Sequence, residues 1–301
     1  MIDALGRYVY MAMSWLHGIL GSDYILTVIL FTVLLRLIMS PFDIISRKST
    51  QRSTAAQPYI QKIQKRYAGN PQLMQKKMKE FNKKHHISLM SGCLPLLLTW
   101  PLFIIFLRAM NYWGYVENIN LLVQVNAGNL NFMAENYSWA WIHNIWAPDS
   151  GFSSVIMSAA DFAKIPFDNL TPFFSADTLE FAKNAAANGG AIYSTTMQPL
   201  LDMYAGYSNG WFILPLASGG FMMLQGYITT KMNKSMQAQG APGMGMGMNI
   251  FMAVFSAWIC LSYNSLFSIY WITSNVCGIA LTLLLKKIMP PTAISFEEEL
   301  E

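Results

Sequence analysis

The sequence predicts an all-α integral membrane protein with five transmembrane helices, a basic cytoplasmic antiparallel helical hairpin and an interfacial helix at the N-terminus. Three observations predict that class. Of 301 residues, 53% are hydrophobic and only 12% charged, against about 25% charged in an ordinary soluble domain. Five stretches are apolar over the roughly 20 residues that a helix needs to cross a bilayer core. The charges gather in the connections between these stretches and change sign from one connection to the next.

Residues 1–22 come first, as an interfacial amphipathic helix. Ala4–Gly21 is apolar and aromatic but carries Arg7 and His17, and Gly21-Ser22-Asp23 follows. That suits a helix lying flat on the membrane; an uncleaved signal-like segment is the alternative, although neither a basic start nor a small-residue cleavage site is evident. The first span is 23–42, its apolar run Tyr24–Phe42. Residues 43–91 form the basic hairpin, in which Pro58–Tyr67 and Pro71–His85 each begin with proline, as a first helical turn allows, and Ala68-Gly69-Asn70 separates them. Tyr59, Ile60, Ile63 and Tyr67 recur at helical spacing in one arm, and Leu73, Met74, Met78 and Phe81 in the other. The second span is 92–112, a long extracytoplasmic segment 113–210, the third span 211–232, a Gly/Met linker 233–248, and the fourth and fifth spans 249–266 and 267–287. These last two almost touch, so they turn sharply near Tyr263-Asn264-Ser265. Residues 288–301 form an acidic tail. In the extracytoplasmic segment, Trp139, Trp141 and Trp146 and the weakly amphipathic run 154–165 suggest pieces lying on the outer membrane surface.

Charge asymmetry orients the chain. Residues 43–91 hold eleven Lys/Arg against Asp43 and Glu80, whereas 113–210 hold eight acids against Lys164 and Lys183; Lys231 and Lys234 precede the fourth span and Lys286-Lys287 end the fifth. By the positive-inside rule the N-terminus is outside and the C-terminus cytoplasmic. Lys62, Lys65, Arg66, Lys76, Lys77, Lys79, Lys83 and Lys84 cover the hairpin. Two readings of them stand open: a solvated face that sets topology and touches anionic lipid, or a docking surface for ribosome, targeting factors or incoming polypeptide. Nucleic-acid binding is not expected, because no exposed stacking aromatics interleave the basic residues.

Several spans carry polar faces. Thr32, Arg36 and Ser40, four apart, share one face of the first; Ser268, Trp271, Asn275, Gly278 and Thr282 follow a three-four spacing in the fifth; Gln225 and Thr229 lie in the third, and Ser256 and Cys260 in the fourth. Helix–helix packing accounts for Ser, Thr and Gly in such places. Arg36 is harder to place. It lies six residues before Phe42, within partial reach of the interface by snorkelling. None of the five spans contains Asp or Glu, so the other reading is a water-accessible cavity with a positive charge awaiting an anionic group. Cys93, Cys260 and Cys277 all sit in apolar runs, as small buried hydrophobes rather than disulfide partners or metal ligands. No phosphate-binding loop, HExxH or GxSxG sequence occurs; no cofactor, no metal and no covalent catalysis are expected.

The string HISLMSGCLPLLLTWPLFIIFLRAM at 86–110, the basic hairpin before it, TVLLRLIMSPF at 32–42 and SIYWITSN at 268–275 together resemble the YidC family of membrane protein insertases, with its mitochondrial and chloroplast Oxa and Alb relatives. The resemblance covers 24–112 and 211–287. It implies five transmembrane helices around a hydrophilic groove, open to cytoplasm and lipid and closed to the outside, with Arg36 in it. It implies a membrane insertase and chaperone, not an enzyme, that moves short extracytoplasmic segments of nascent membrane proteins through the groove and releases their spans into lipid without nucleotide hydrolysis. Thr32, Ser40, Gln225, Thr229, Trp271 and Asn275 complete the expected groove. Membrane lipids, ribosome, targeting factors and the Sec translocation channel are the expected partners. Segment 113–210 is longer than the family's usual loop, and the large domain of many Gram-negative members is not seen before the core. With no transit peptide visible, the expected location is the bacterial plasma (inner) membrane. A small-solute or ion transporter is the competing class, but it would more often show paired broken helices and acidic residues in the spans.

Overall fold

The structure, a computed structural model, describes residues 2–21, 23–85, 87, 94–232 and 244–289. The expected linker up to residue 243, the start of the second span at 92–93 and the acidic tail from 290 lie outside the described residues. Among those described, the regular elements are helices: α1 (Ile2–Ile19), α2 (Tyr24–Arg66), α3 (Pro71–Lys84), α4 (Leu94–Asn126), α5 (Phe132–Asn136), α6 (Ala159–Phe162), α7 (Ala176–Met203), α8 (Ile213–Met232), α9 (Met244–Ser262) and α10 (Ser265–Ile288), with a short 3-10 turn at Phe167–Leu170. Among the described residues, two stretches are long and apolar enough to cross a membrane, Tyr24–Ser49 and Ser265–Ile288; Met246–Ser262 is apolar but shorter.

The chain divides into two compact units. The first holds Met1–Thr32, Phe103–Gly220 and Val254–Thr273; the second holds Val33–Leu102, Phe221–Ala253 and Ser274–Glu301.

The first unit is organised by aromatic side chains. Tyr24, in the first turn of α2, has its ring 5.2 Å from Trp146, 5.6 Å from Trp113 and 5.9 Å from Tyr137. Tyr10 of α1 packs edge-on against Phe173 at 4.8 Å. α4 runs past Tyr112 to Asn126 and brings a carboxylate into this core. Glu117 is buried, and it accepts hydrogen bonds from Trp113 Nε1 (3.1 Å), Tyr137 OH (2.8 Å) and Asn120 Nδ2 (3.1 Å). Three donors offset the desolvation that would otherwise make a buried charge costly. Burial, and then the charge of Glu117, push the Tyr137 phenol upward, so it remains a donor.

Within segment 113–210, some of the residues expected to lie on the outer membrane surface are buried in the fold. Trp146 is buried in the aromatic core, and Val155, Ile156, Phe162 and Ile165 are buried with it. Within 154–165 only Ala159–Phe162 is helical. The apolar residues Val155, Ile156, Phe162 and Ile165, read as one amphipathic face, come instead from a loop and a single helical turn and are buried in a folded core. α7 is two helical pieces meeting at Ala187–Gly190, where Asn188, Gly189 and Gly190 all have positive φ. Gly190 is required there, because a Cβ would fall 2.8 Å from Ala159 Cβ.

Asp149 and Asn209 close the segment onto the start of α8. Asp149 Oδ1 accepts from the backbone N–H of Trp211 (2.7 Å) and Phe212 (3.2 Å), and Oδ2 from that of Leu214 (2.7 Å). The carboxylate thus takes up donors that a helix N-terminus leaves unpaired. Asn209 Nδ2 donates to the carbonyls of Asn144, Ala147 and Pro148 at 2.8–3.1 Å, while its Oδ1 accepts from Asn144 N. Gly210 passes so close to Asp149 that a Cβ would overlap the carboxylate.

In the second unit, α2 continues without a break through Pro41 and Pro58 to Arg66. A separate helix beginning at Pro58 is the simpler sequence expectation. An interior proline removes one N–H from the helical ladder and crowds the carbonyl four residues back, at about 3 kcal/mol, and Ala56 and Ile60, buried on either side of Pro58 in one cluster, hold the chain helical across it. Tyr67–Asn70 turns the chain, and Asn70 Oδ1 caps α3 by accepting from Leu73 N at 3.1 Å. Ala56, Ile60 and Ile87 form a small buried cluster joined by Tyr59, Met78 and Phe81, with the Tyr59 and Phe81 rings stacked at 6.1 Å. The eight basic residues expected as a docking face are all exposed.

Asp149→Ala is expected to destabilise the protein by at least about 4 kcal/mol, since hydrogen bonds to charged groups contribute roughly 1.5–3 kcal/mol each and three N–H groups lose their acceptor. Gly210→Ala should lower the melting temperature as well, by driving a methyl into the same carboxylate. Thermal unfolding in detergent micelles checks both; an Asp149→Ala variant that melts with the parent would show that the carboxylate does not hold this corner.

Candidate functional site

Among the polar residues predicted on the first span, only Arg36 reaches another helix. Thr32 is buried in the first unit, and its hydroxyl donates back to Val28 O at 2.6 Å. Ser40 likewise donates to Leu37 O at 2.8 Å. Such back-bonding satisfies a hydroxyl within its own helix. Arg36, half-buried in the second unit, sends Nε and Nη2 to Ser274 Oγ of α10, at 3.0 and 2.6 Å. A single neutral oxygen thus accepts from both arms of the guanidinium.

Arg36 makes no ion pair among the described residues. Asp43 lies seven residues on along the same helix and therefore on nearly the same face. Sequence reasoning, which counted no acid inside the spans, left this carboxylate out because it sits one residue past the expected end of the first. Both readings of Arg36, snorkelling and a water-accessible cavity, left it without a named partner in another helix, and the structure supplies the hydroxyl of Ser274. Ser274 was legible in the quoted SIYWITSN, but it falls on a different spacing from the stripe singled out there.

Asn275, beside Ser274, is buried, and its Nδ2 has no hydrogen-bond partner among the described residues. A buried amide nitrogen without an acceptor is costly, about 1–3 kcal/mol. Gln225 of α8 lies against Gly278 of α10, where a Cβ would come within 2.7 Å of Gln225 Nε2. One turn on, Gly226 makes room for Asn249 of α9, whose Nδ2 donates to Thr230 Oγ1 at 3.1 Å. Small residues here let α8 approach α9 and α10 closely, and polar side chains fasten the contact. Thr229 is exposed, apart from this cluster. Arg36, Ser274, Asn275 and Gln225, with Asn249 and Thr230, are among the polar side chains of the apolar helices in the second unit.

Trp271 belongs to a separate set in the first unit. Its Nε1 donates to Ser256 Oγ at 2.6 Å; Ser256 Oγ is 2.6 Å from Ser218 Oγ; Cys260 Sγ donates to Ser218 Oγ at 3.2 Å; and Ser268 Oγ donates to Cys260 O at 3.3 Å. Ser218, Ser256, Cys260 and Ser268 are fully buried. This network binds α8, α9 and α10 to one another. Ser218 carries it on the α8 side, and neither length nor spacing distinguishes that serine in the sequence. Among the described residues no cluster of three or more His, Cys, Asp or Glu could hold a metal ion.

Ser274→Ala should cost about 1–2 kcal/mol by stranding the guanidinium. Combined with Arg36→Ala, the loss should be less than additive by about 1 kcal/mol, because the two side chains share one interaction. A double-mutant cycle read by thermal unfolding measures this; strict additivity would mean that the contact contributes nothing.

The family described as 60Kd inner membrane protein matches residues 15–292. The chain is 27% identical over 258 residues to the membrane protein insertase YidC of Clostridium perfringens (strain 13 / Type A), covering 85% of this chain and 75% of that protein. It is 36% identical over 100 residues to the protein of the same name from Clostridium tetani, covering 33% of this chain and 46% of the relative. To that from Herminiimonas arsenicoxydans it is 29% identical over 153 residues, covering 51% of this chain and 24% of the relative. The match spans the apolar helices and the polar sets just described, and the chain belongs to the 60Kd inner membrane protein family, with membrane protein insertases of the YidC type among its relatives.

Proposed function

We propose that the chain is a membrane protein insertase and chaperone. It moves short extracytoplasmic segments of nascent membrane proteins across the bilayer along a hydrophilic groove and releases their spans into lipid, without nucleotide hydrolysis. The observation that carries this reading is Arg36: a permanent charge in an apolar helix, held by a neutral hydroxyl rather than neutralised by a carboxylate. An acidic or polar segment crossing hydrocarbon unaided leaves its groups unsatisfied, at several kcal/mol each. A wet path with a cation beside it lowers that barrier, and attraction to the cation is strongest where the dielectric is low. Burial of the substrate's own apolar span then drives release.

In this reading five helices cross the membrane, formed by α2, α4, α8, α9 and α10. The N-terminus is outside and the C-terminus cytoplasmic. Arg36, Ser274, Asn275 and Gln225 line the groove. α1 lies on the membrane surface: Leu5, Tyr8, Met11, Trp15 and Ile19 are exposed along one side, while Tyr10 and Met13 are buried. The exposed lysines and arginine of α2 and α3 offer a docking surface for ribosome, targeting factors or incoming polypeptide, and for anionic lipid, and the Sec translocation channel is a further partner of the protein.

Reconstitution into liposomes tests the function. Purified protein should stimulate insertion of a short single-span substrate with an acidic outer tail. Arg36→Ala should reduce that insertion at least tenfold, and Arg36→Lys should retain most of it. Protein that fails to stimulate insertion but passes a small solute would sink the reading; loss on Arg36→Lys would assign a guanidinium-specific contact in place of simple charge attraction.

A further inference from the structure

We infer that the folded segment 113–210 is seated on the outer leaflet of the bilayer through an aromatic corner made by Phe152 and Trp211. The inference rests on the reading of α8 as a span, since the corner stands at its first turn.

The corner is built rather than loose. Asn209 N donates to Ser153 O at 2.9 Å, and Ser154 pairs with Ser208 in an isolated bridge, so the loop carrying Phe152 is tied to the approach to α8. The Phe152 ring meets that of Phe212 at 5.2 Å. Gly151 lies close beneath, where a Cβ would come within 2.9 Å of the Phe212 ring. Phe212 itself has φ of +66°, a left-handed conformation that L residues other than glycine rarely adopt. The Asp149 carboxylate, bonded to the N–H groups on either side and at Phe212, holds it there.

All this order presents two large apolar side chains outward. Phe152 is 94% exposed and Trp211 72%. The exposed face continues into α8 with Ile213 and Leu216. No Asp, Glu, Lys, Arg or His occurs at 150–160 or 203–230, and Asp149, the nearest acid, is fully buried with its oxygens on backbone N–H groups. Elsewhere the same segment behaves as a water-facing surface: Asp161, Asp168, Asp177 and Glu180 are all exposed. A charge-free edge bearing an exposed tryptophan, continuous with the apolar face of a membrane helix, has the chemistry of the headgroup–acyl boundary, where tryptophan is enriched. The partner that fits is the lipid bilayer itself.

The test places nitroxide labels on the full chain, with Cys93, Cys260 and Cys277 replaced by alanine, in vesicles of phosphatidylethanolamine and phosphatidylglycerol. Labels on Phe152→Cys, Leu216→Cys and Glu180→Cys are each probed with oxygen, which concentrates in lipid, and with a water-soluble nickel chelate. At 152 and 216 oxygen should relax the label several-fold more effectively than the chelate, and at 180 the order should reverse. A label at 152 that behaves like the one at 180, while 216 stays oxygen-favoured, overturns the inference and leaves the reading of α8 intact. If 216 also favours the chelate, α8 is not a span and the inference falls with it. A label at 152 shielded from both reagents means that protein covers the corner, which also overturns it. A second measurement keeps the native cysteines: Trp211→Phe should lower the fraction of tryptophan emission quenched by brominated lipid, and an unchanged fraction counts against the lipid contact.

Discussion

A guanidinium cannot shed its charge at any accessible pH, so a helix that carries one among apolar residues has to supply it with an acceptor. Arg36 is given the weakest acceptor that still fixes its position. Two of its nitrogens share one serine oxygen, which orders the side chain without neutralising it. A carboxylate in that place would form a closed pair, expensive to open in low dielectric and indifferent to a third charge. A hydroxyl leaves the electrostatic field in place. The polarity of the neighbouring residues follows the same logic, since Asn275 and Gln225 add dipoles and no charge.

The other polar side chains in the apolar helices are spent differently. Thr32 and Ser40 bond to their own helix, and Ser218, Ser256, Cys260, Ser268 and Trp271 bond across α8, α9 and α10. Neither use leaves a group over for a ligand. Hydrophobic burial cannot hold helices together in lipid as it does in water, so close packing at glycine and a few interhelical hydrogen bonds take over. Polarity within these helices is therefore two things at once: fastening where donors and acceptors match, and unsatisfied capacity where they do not.

Much of the architecture was legible in the sequence, because periodicity and charge sign survive without coordinates. The sharp turn at Tyr263-Asn264 and the apolar positions Tyr59, Ile60, Ile63, Met78 and Phe81 stand where spacing put them. Arg36 could be singled out because a charge in an apolar run is a local anomaly. Ser274 could not, since its role depends on a pairing 238 residues apart along the chain. The core of 113–210 was hidden for a related reason. Glu117, Asp149 and Asn209 read as ordinary polar residues of a loop, and only the folded chain shows them buried with every oxygen occupied. Pro58 misled in the opposite direction: a strong local signal for a helix start was overridden by its neighbours.

That uninterrupted passage through Pro58 makes α2 a mechanical element. Arg36 and Lys62 stand on one helix, 26 residues apart, or about 39 Å of helix rise. No loop between them can absorb a displacement. A load on the basic end proposed for docking would act on the same rod that carries the half-buried guanidinium, with Pro41 and Pro58 as the points where that rod can bend.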